Sequence, residues 1–290
     1  MLFLILYSLA LSHLYGCRTN SFAQSSKIIY AIGDIHADYN AAISSCLLAQ
    51  ICDKNGNWTA KNITLIQTGD VTDRGPDGKK VLDLMTQWEK QALEHNSVFI
   101  QLLGNHEAMN VVGDWRYVSP KDVQSFGGLE DRKKAFVSGG VWHSWILEHD
   151  AISIVDQNIF VHGGISSSFS KYPIADLNQQ IKKALLDNPQ AEILRSQGPL
   201  WYRGYLQNEE KQACDELTQV LQTYNAQRMI VGHTTQRDGK IKTRCDGKLI
   251  AIDVGLSAHY GANLAILKIE NNDAKAIYTK ESEDLPDPTL

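Results

Sequence analysis

The sequence predicts an α/β protein in which parallel strands are covered by helices. Three β-rich apolar runs in the N-terminal half alternate with stretches whose apolar residues recur at helical spacing, giving the order β-α-β-α-β. Each run stops at a glycine followed by Asp or Asn, at the strand ends where α/β proteins keep their chemistry. With 290 residues, 43% hydrophobic and 21% charged, the chain can bury a sizeable core as one large or two small domains.

The first run, Lys27 to Ile32, ends in Gly33-Asp34-Ile35-His36-Ala37-Asp38. A helix follows from an N-cap near Asp38, with Ala42, Ile43, Leu47, Leu48 and Ile51 as its apolar stripe. Residues 53–60 read as a loop. The second run, Ile63 to Gln67, ends in Gly69-Asp70-Val71-Thr72-Asp73-Arg74-Gly75-Pro76, and Pro76 suits a helix start. Val81, Leu84, Met85, Trp88 and Ala92 then form a stripe against the sheet. The third run, Val98 to Leu103, ends in Gly104-Asn105-His106-Glu107, read as a strand running out into a loop.

Residues 113–140 are polar and glycine-punctuated without clear periodicity, and read as a loop or small helical insertion shaping access to a site. Ala151 to Val155 and Asn158 to Val161 read as two strands around a turn at Asp156-Gln157, leading to His162-Gly163-Gly164. A polar helix from Ile174 to about Arg195 precedes Pro199-Leu200-Trp201-Tyr202-Arg203-Gly204. A helix from about Glu209 to Tyr224 leads into the strand Arg228 to Val231 and then Gly232-His233. Short strands follow at 240–244, 249–253 and 264–269; residues 271–290, acidic and with two prolines, read as a loose tail.

Met1 to Leu14 carry no Asp, Glu, Lys or Arg, which fits the apolar core of a signal peptide spanning residues 1–23 and is too short for a membrane span. Export is the expectation, by cleavage after Ala23 or by lipidation at Cys17. Cys46, Cys52, Cys214 and Cys245 then permit two disulfides, or stand as four small buried hydrophobes. A Cys46–Cys52 bridge requires the first helix to end between them. The net charge of -5 gives no electrostatic reason to expect nucleic acid or an anionic membrane surface as a partner. Asn57-Trp58-Thr59 and Asn62-Ile63-Thr64 match the glycosylation pattern.

Asp34, His36, Asp70, Asn105, His162 and His233 all fall at or just after strand ends. Carboxylate and imidazole together suit Mn, Fe or Zn, and without clustered cysteines a thiolate site is not expected. The set suffices for two metal ions if one carboxylate is shared, and Asp70 is the natural bridge. Two such ions can hold a hydroxide and clamp a phosphoryl group. Arg74 and Arg203, each beside glycine, can approach a compact anion bidentately. His106 can protonate a leaving oxygen if a carboxylate holds its tautomer, with Asp73 better suited than Glu107. Singly, a Gly-Asp after a strand is a turn and a His-Gly a solvated loop; their recurrence in this order is what points to a site.

At these residues the chain resembles the phosphoprotein phosphatase family of metallophosphoesterases. The blocks GDxHG, GDxxDRG and GNHE stand here as Gly33-Asp34-Ile35-His36-Ala37, Gly69 to Gly75, and Gly104-Asn105-His106-Glu107, with Ala37 in place of the family glycine. Gly232-His233-Thr234-Thr235-Gln236 and Asp253-Val254-Gly255-Leu256-Ser257 resemble the Shewanella-like branch, some of whose members prefer phosphotyrosine. The resemblance implies a β-sandwich of two mixed sheets, built from βαβαβ units and flanked by helices, over residues 24–270. It implies Asp34, His36 and Asp70 on one metal and Asp70, Asn105, His162 and His233 on the other. Arg74, Asn105, His106 and Arg203 would bind phosphate, with His106 and Asp73 as the acid pair and a phosphoprotein or phosphopeptide as substrate. The tyrosine-bearing C-terminal loop of the eukaryotic serine/threonine enzymes has no obvious counterpart. Other readings are a dinucleoside polyphosphate hydrolase or phosphodiesterase on the same scaffold, or a catalytically silent secreted binding protein. A cysteine-nucleophile phosphatase is disfavoured, since no cysteine is followed six residues later by arginine.

Overall fold

The computed structural model describes residues 28–288. The expected signal segment and Cys17 lie outside them.

The N-terminal half follows the β-α-β-α-β order: β1 (Ile28–Ile32), α1 (Tyr39–Leu48), β2 (Thr64–Gln67), α2 (Gly78–Glu94) and β3 (Val98–Gln101). Four helices come next, α3 (Asn105–Val111), α4 (Pro120–Ser125), α5 (Leu129–Phe136) and α6 (Val141–Glu148). Then come β4 (Ile152–Val155), β5 (Asn158–Val161), α7 (Ile174–Asp187), α8 (Gly204–Gln207), α9 (Glu210–Thr223) and β6 (Arg228–Val231). The chain finishes through β7 (Lys242–Arg244), β8 (Leu249–Ala251), β9 (Ala265–Glu270), β10 (Asp273–Tyr278) and β11 (Ser282–Asp284).

Two mixed sheets result, one ordered β11-β10-β9-β1-β2-β3 and the other β4-β5-β6-β8-β7. β1, β2 and β3 run parallel in the first, and β5, β6 and β8 run parallel in the second. Every residue of β2, β5, β6 and β8 is buried, as befits strands covered on both faces. One apolar core joins Ile32, Leu65 and Ile66 of the first sheet to Phe160, Ile230 and Ile250 of the second, and takes in the α2 stripe of Val81, Leu84, Met85, Trp88 and Ala92. The Asp38 carboxylate caps α1 by accepting the Ala41 N–H at 3.0 Å.

Three sequence expectations need correction, and one open alternative is decided. Asn105-His106-Glu107 is the first turn of α3 rather than a loop. The segment from 113 to 140 contains α4 and α5, so of its two readings the helical insertion holds. The helix expected to reach Arg195 stops at Asp187. From residue 273 to Leu285 the expected loose tail is paired and packed instead: β10 pairs along the whole of β9, β11 pairs with β10, and Leu285 is buried. Asn271 and Asn272 both take positive φ, 51° and 75°, the conformation a two-residue hairpin turn demands.

The four cysteines pair as Cys46–Cys52 and Cys214–Cys245. α1 ends at Leu48, Gln50 turns with φ 56°, and the chain doubles back so that Cys52 bridges to Trp58. The helix end that the first pairing requires is therefore present.

Candidate active site

The C-terminal ends of all six parallel strands meet at one place. β1 delivers Asp34 and His36, β2 delivers Asp70, Asp73 and Arg74, and β3 delivers Asn105 and His106; β5, β6 and β8 deliver His162, His233 and Asp253. The loops lock to one another through their backbones, with Ile35 and His36 N–H donating to Asp70 O and Ala37 N–H to Val71 O. His36, Asp70, Asp73, Arg74 and His233 all hold positive φ, between 48° and 68°. Such backbone costs of order 1–3 kcal/mol per residue, and it clusters where function fixes side-chain direction. Two glycines permit the close approach. A Cβ at Gly104 would meet Asp70 Oδ1 at 2.2 Å, and one at Gly232 would meet Asp34 Oδ1 at 2.3 Å.

Asp70 is the hub. Its Oδ2 lies 3.7 Å from His36 Nε2, 3.8 Å from His106 Nε2 and 3.2 Å from His162 Nε2, while Oδ1 accepts the His106 N–H at 2.9 Å. Asp34 Oδ2 lies 3.9 Å from His36 Nε2, and its carboxylate accepts the His233 N–H. His162 Nδ1 donates to Thr68 O at 2.9 Å, so its other nitrogen faces acceptors, Asn105 Oδ1 at 2.9 Å and Asp70 Oδ2. His36 Nδ1 likewise faces Thr72 O at 3.3 Å, turning Nε2 to the carboxylates. His233 Nε2 is buried without a hydrogen-bond partner among the described residues. The groups His36/Asp70/His106 and Asp70/His162/His233 each bring possible ligand atoms within 4.8 Å of one another. The residues therefore fit divalent metal ions, with Thr68 O and Thr72 O facing the other ring nitrogens of His162 and His36.

The electrostatics agree. Burial, then Asp253 and Asp70, push the Asp34 carboxyl well above its usual range. Burial also raises Asp70, but His162, His106 and His36 outweigh it and hold that carboxyl well below the ordinary value. Burial takes His36 down to about 3, and burial with His162 and Arg203 lowers His233 well below the ordinary value. Imidazoles kept neutral are the form that binds a metal.

His106 differs. Its Nδ1–H donates to Asp73 Oδ2 at 2.8 Å, and although burial lowers it, Asp70 and Asp73 together raise its pKa. Arg74 stacks on the Tyr117 ring at 3.8 Å, and its Nε has no hydrogen-bond partner among the described residues. Arg203 donates to His233 O and Thr234 Oγ1, which anchors it beside the cluster. Glu107 binds no imidazole. Its oxygens accept from the backbone N–H groups of Asp70, Val71, Thr72 and Gly104 and from Thr72 Oγ1.

The profile of the calcineurin-like phosphoesterase family matches residues 28–237. The chain belongs to that family. It is therefore a metallophosphoesterase, a hydrolase of a family that uses divalent metal ions. An uncharacterized protein of Schizosaccharomyces pombe is 35% identical to this metallophosphoesterase over 264 residues, covering 86% of this chain and 79% of the relative. Shewanella-like protein phosphatase 1 of Plasmodium berghei is 32% identical over 279 residues, covering 91% and 77%. The crystal structure of a cold-active protein-tyrosine phosphatase of a psychrophilic Shewanella species superposes with a TM-score of 0.78 at 26% identity, over 89% of this chain and 80% of that one.

All ten residues singled out from the metallophosphoesterase sequence thus lie at or beside one site. Others there had not been singled out. Asp253 is buried next to Asp34 and accepts from Thr235 Oγ1; the signal was a further strand ending in a carboxylate. Tyr260 lies with its ring 4.9 Å from that of His36, so a tyrosine from the C-terminal part does reach the site. Tyr117, Asn110, Asp122 and Arg132 come from α3 and the inserted segment.

Proposed function

We propose that this metallophosphoesterase is an exported protein phosphatase that hydrolyses phosphomonoesters with two divalent ions, phosphotyrosine being favoured over phosphoserine and phosphothreonine. The observation that carries this is Asp70: one carboxylate shared by imidazoles from three separate strand ends, facing the His106–Asp73 pair.

Asp34, His36 and Asp70 would hold one ion, and Asp70, Asn105, His162 and His233 the other, with Mn, Fe and Zn all suited to the ligand set. When bound, the ions acidify a water and neutralise charge on a phosphoryl group. The remaining work falls to the chain. Arg74 and Arg203 orient the phosphate, helped by the Asn105 amide and the His106 ring. His106 gives its Nε2 proton to the leaving oxygen, and Asp73 holds the Nδ1–H that fixes this direction. Asp70 and Asp73 raise the pKa of His106, the direction that favours a proton donor.

A cleft of about 1120 Å³ runs from Arg203 past Tyr117, Arg116, Met109 and Arg195. Its size suits a peptide segment, and the name of the Shewanella structure supports tyrosine. The two disulfides support an oxidising compartment. The test is turnover of phosphotyrosine peptide, phosphoserine peptide and diadenosine tetraphosphate by the metal-stripped full chain with Mn, Zn or Fe added back. Metal-restored hydrolysis of phosphopeptides, fastest for phosphotyrosine, is expected. Hydrolysis of the tetraphosphate alone, or activity that resists chelation, overturns the reading.

A further inference from the structure

Arg132 is an arginine with almost no solvent, 1% exposed, reaching the acid pair from α5. Its guanidinium is a three-way fork: Nε donates to Asp122 Oδ2 at 2.8 Å, Nη1 to Asn110 Oδ1 at 2.8 Å and Nη2 to Asp73 Oδ1 at 3.2 Å. Its faces are covered by Phe126 and Phe136, whose ring centroids lie 5.4 Å and 4.6 Å from the guanidinium carbon. Asn110, one helical turn after His106, completes the frame by donating to Asp73 Oδ1 at 2.9 Å and to His106 O at 2.9 Å. Asp122 is tied in turn to the start of α2 through the Gly78 N–H at 2.8 Å.

Asp73 therefore has its two oxygens divided. Oδ1 is taken by Arg132 and Asn110, and Oδ2 is left for His106. A carboxylate held by only one of these could rotate about its χ2, and the imidazole would lose its fixed tautomer. Burying an arginine between two aspartates is costly unless the geometry is met, and here each of the three guanidinium nitrogens has an acceptor.

We propose that Arg132, with Asp122 and Asn110 as its frame, is a positioning residue for proton donation to the leaving group: the inserted helices α4 and α5 exist in part to aim Asp73 at His106. The proposal rests on the reading of His106 as the acid. In that step the P–O bond to the leaving group breaks, its electron pair stays on the departing oxygen, and the proton on His106 Nε2 joins it, while a water oxygen forms the new bond to phosphorus and gives up one proton to solvent. His106 then recovers a proton from solvent. Substrates with a poor leaving group need this proton; those with a very good one do not.

The test is a leaving-group comparison on the metal-loaded full chain, using a phosphoserine peptide and 2,4-dinitrophenyl phosphate. Arg132→Met is the direct variant, and Arg132→Met/Asp122→Asn removes the carboxylate that would otherwise be left buried and unpaired while keeping an oxygen for the Gly78 N–H. Asp73→Asn serves as the reference. General-acid help is worth about 10²–10⁴-fold, so loosening its support is expected to lower kcat on the peptide roughly 10- to 100-fold, with dinitrophenyl phosphate changed less than about 3-fold. Equal losses on both substrates, or no loss on either, in a variant that binds its metals overturn the role of Arg132 while Asp73→Asn still discriminates. If Asp73→Asn itself does not discriminate, the acid reading of His106 falls, and the proposal with it.

Discussion

Replacing Glu107 by Gln changes one atom in a side chain that is fully buried and accepts five hydrogen bonds. Oε2 receives the Asp70 and Gly104 N–H groups at 2.7 Å and 2.9 Å; Oε1 receives Val71 and Thr72 N–H, both at 3.0 Å, and Thr72 Oγ1 at 2.8 Å. The new NH₂ costs least on the Oε2 side, where it still orphans two buried backbone donors. Each orphan costs about 1–3 kcal/mol. Removing a negative charge that faces Asp70 returns part of that, since burial and Asp70 already push the Glu107 carboxyl up. A net loss of about 2–4 kcal/mol follows, which lowers Tm by roughly 5–15 °C in a chain of this size. Because the broken bonds hold the backbone of Asp70, metal affinity and turnover should fall with stability. Circular-dichroism melting and elemental analysis of the same sample test this. An unchanged Tm would refute the hydrogen-bond reasoning, and an unchanged Tm with loss of one ion per chain would make Glu107 a ligand instead.

Three further outcomes are expected. Gly232→Ala forces a methyl to within 2.3 Å of Asp34 Oδ1; denaturant melts should show a loss of about 1–3 kcal/mol, with weakened metal binding, and wild-type metal affinity would contradict the packing. Tyr117→Leu removes the surface on which Arg74 stacks, an interaction of about 0.5–2 kcal/mol. It should raise KM for phosphopeptide by about 2- to 30-fold with kcat nearly held, whereas a kcat-only defect would point away from phosphate binding. Truncation after Glu270 strips β10 and β11 from β9 and exposes the core around Ala276 and Leu285. It should cost about 3–5 kcal/mol from lost apolar burial, and a truncated chain that melts like the full one would restore the loose tail.

The strand ends were legible because one pattern encodes fold and chemistry together: an apolar run long enough for a buried strand, then glycine, then a polar ligand. Gly33, Gly69, Gly104 and Gly232 punctuate the sequence as turns do, and in space they also let neighbouring backbone or carboxylates pack against them. α3 was hidden because Asn105 to Asn110 are all buried, so the helix has no polar face to set against an apolar one. α4 and α5 span only six and eight residues, too short for a readable period. Asp122 and Arg132 sit there as two charges among many, and only the fold turns them inward. The terminal hairpin was misread from its acidity: Glu281 and Asp284 do face solvent, but they pair with Lys240 and Lys275 on the sheet surface. The adjacent asparagines at 271 and 272 were the overlooked turn signal.

The most direct measurement is the number of divalent ions bound per chain, counted alongside phosphopeptide turnover, in the wild type, in His36→Ala, in His233→Ala and in Asp70→Asn. If Asp70 joins two metal sites, the wild type binds two ions, each histidine variant keeps one, Asp70→Asn weakens both, and turnover requires the full pair. One ion in the wild type, or full turnover by Asp70→Asn, would contradict a two-metal phosphatase built on that carboxylate.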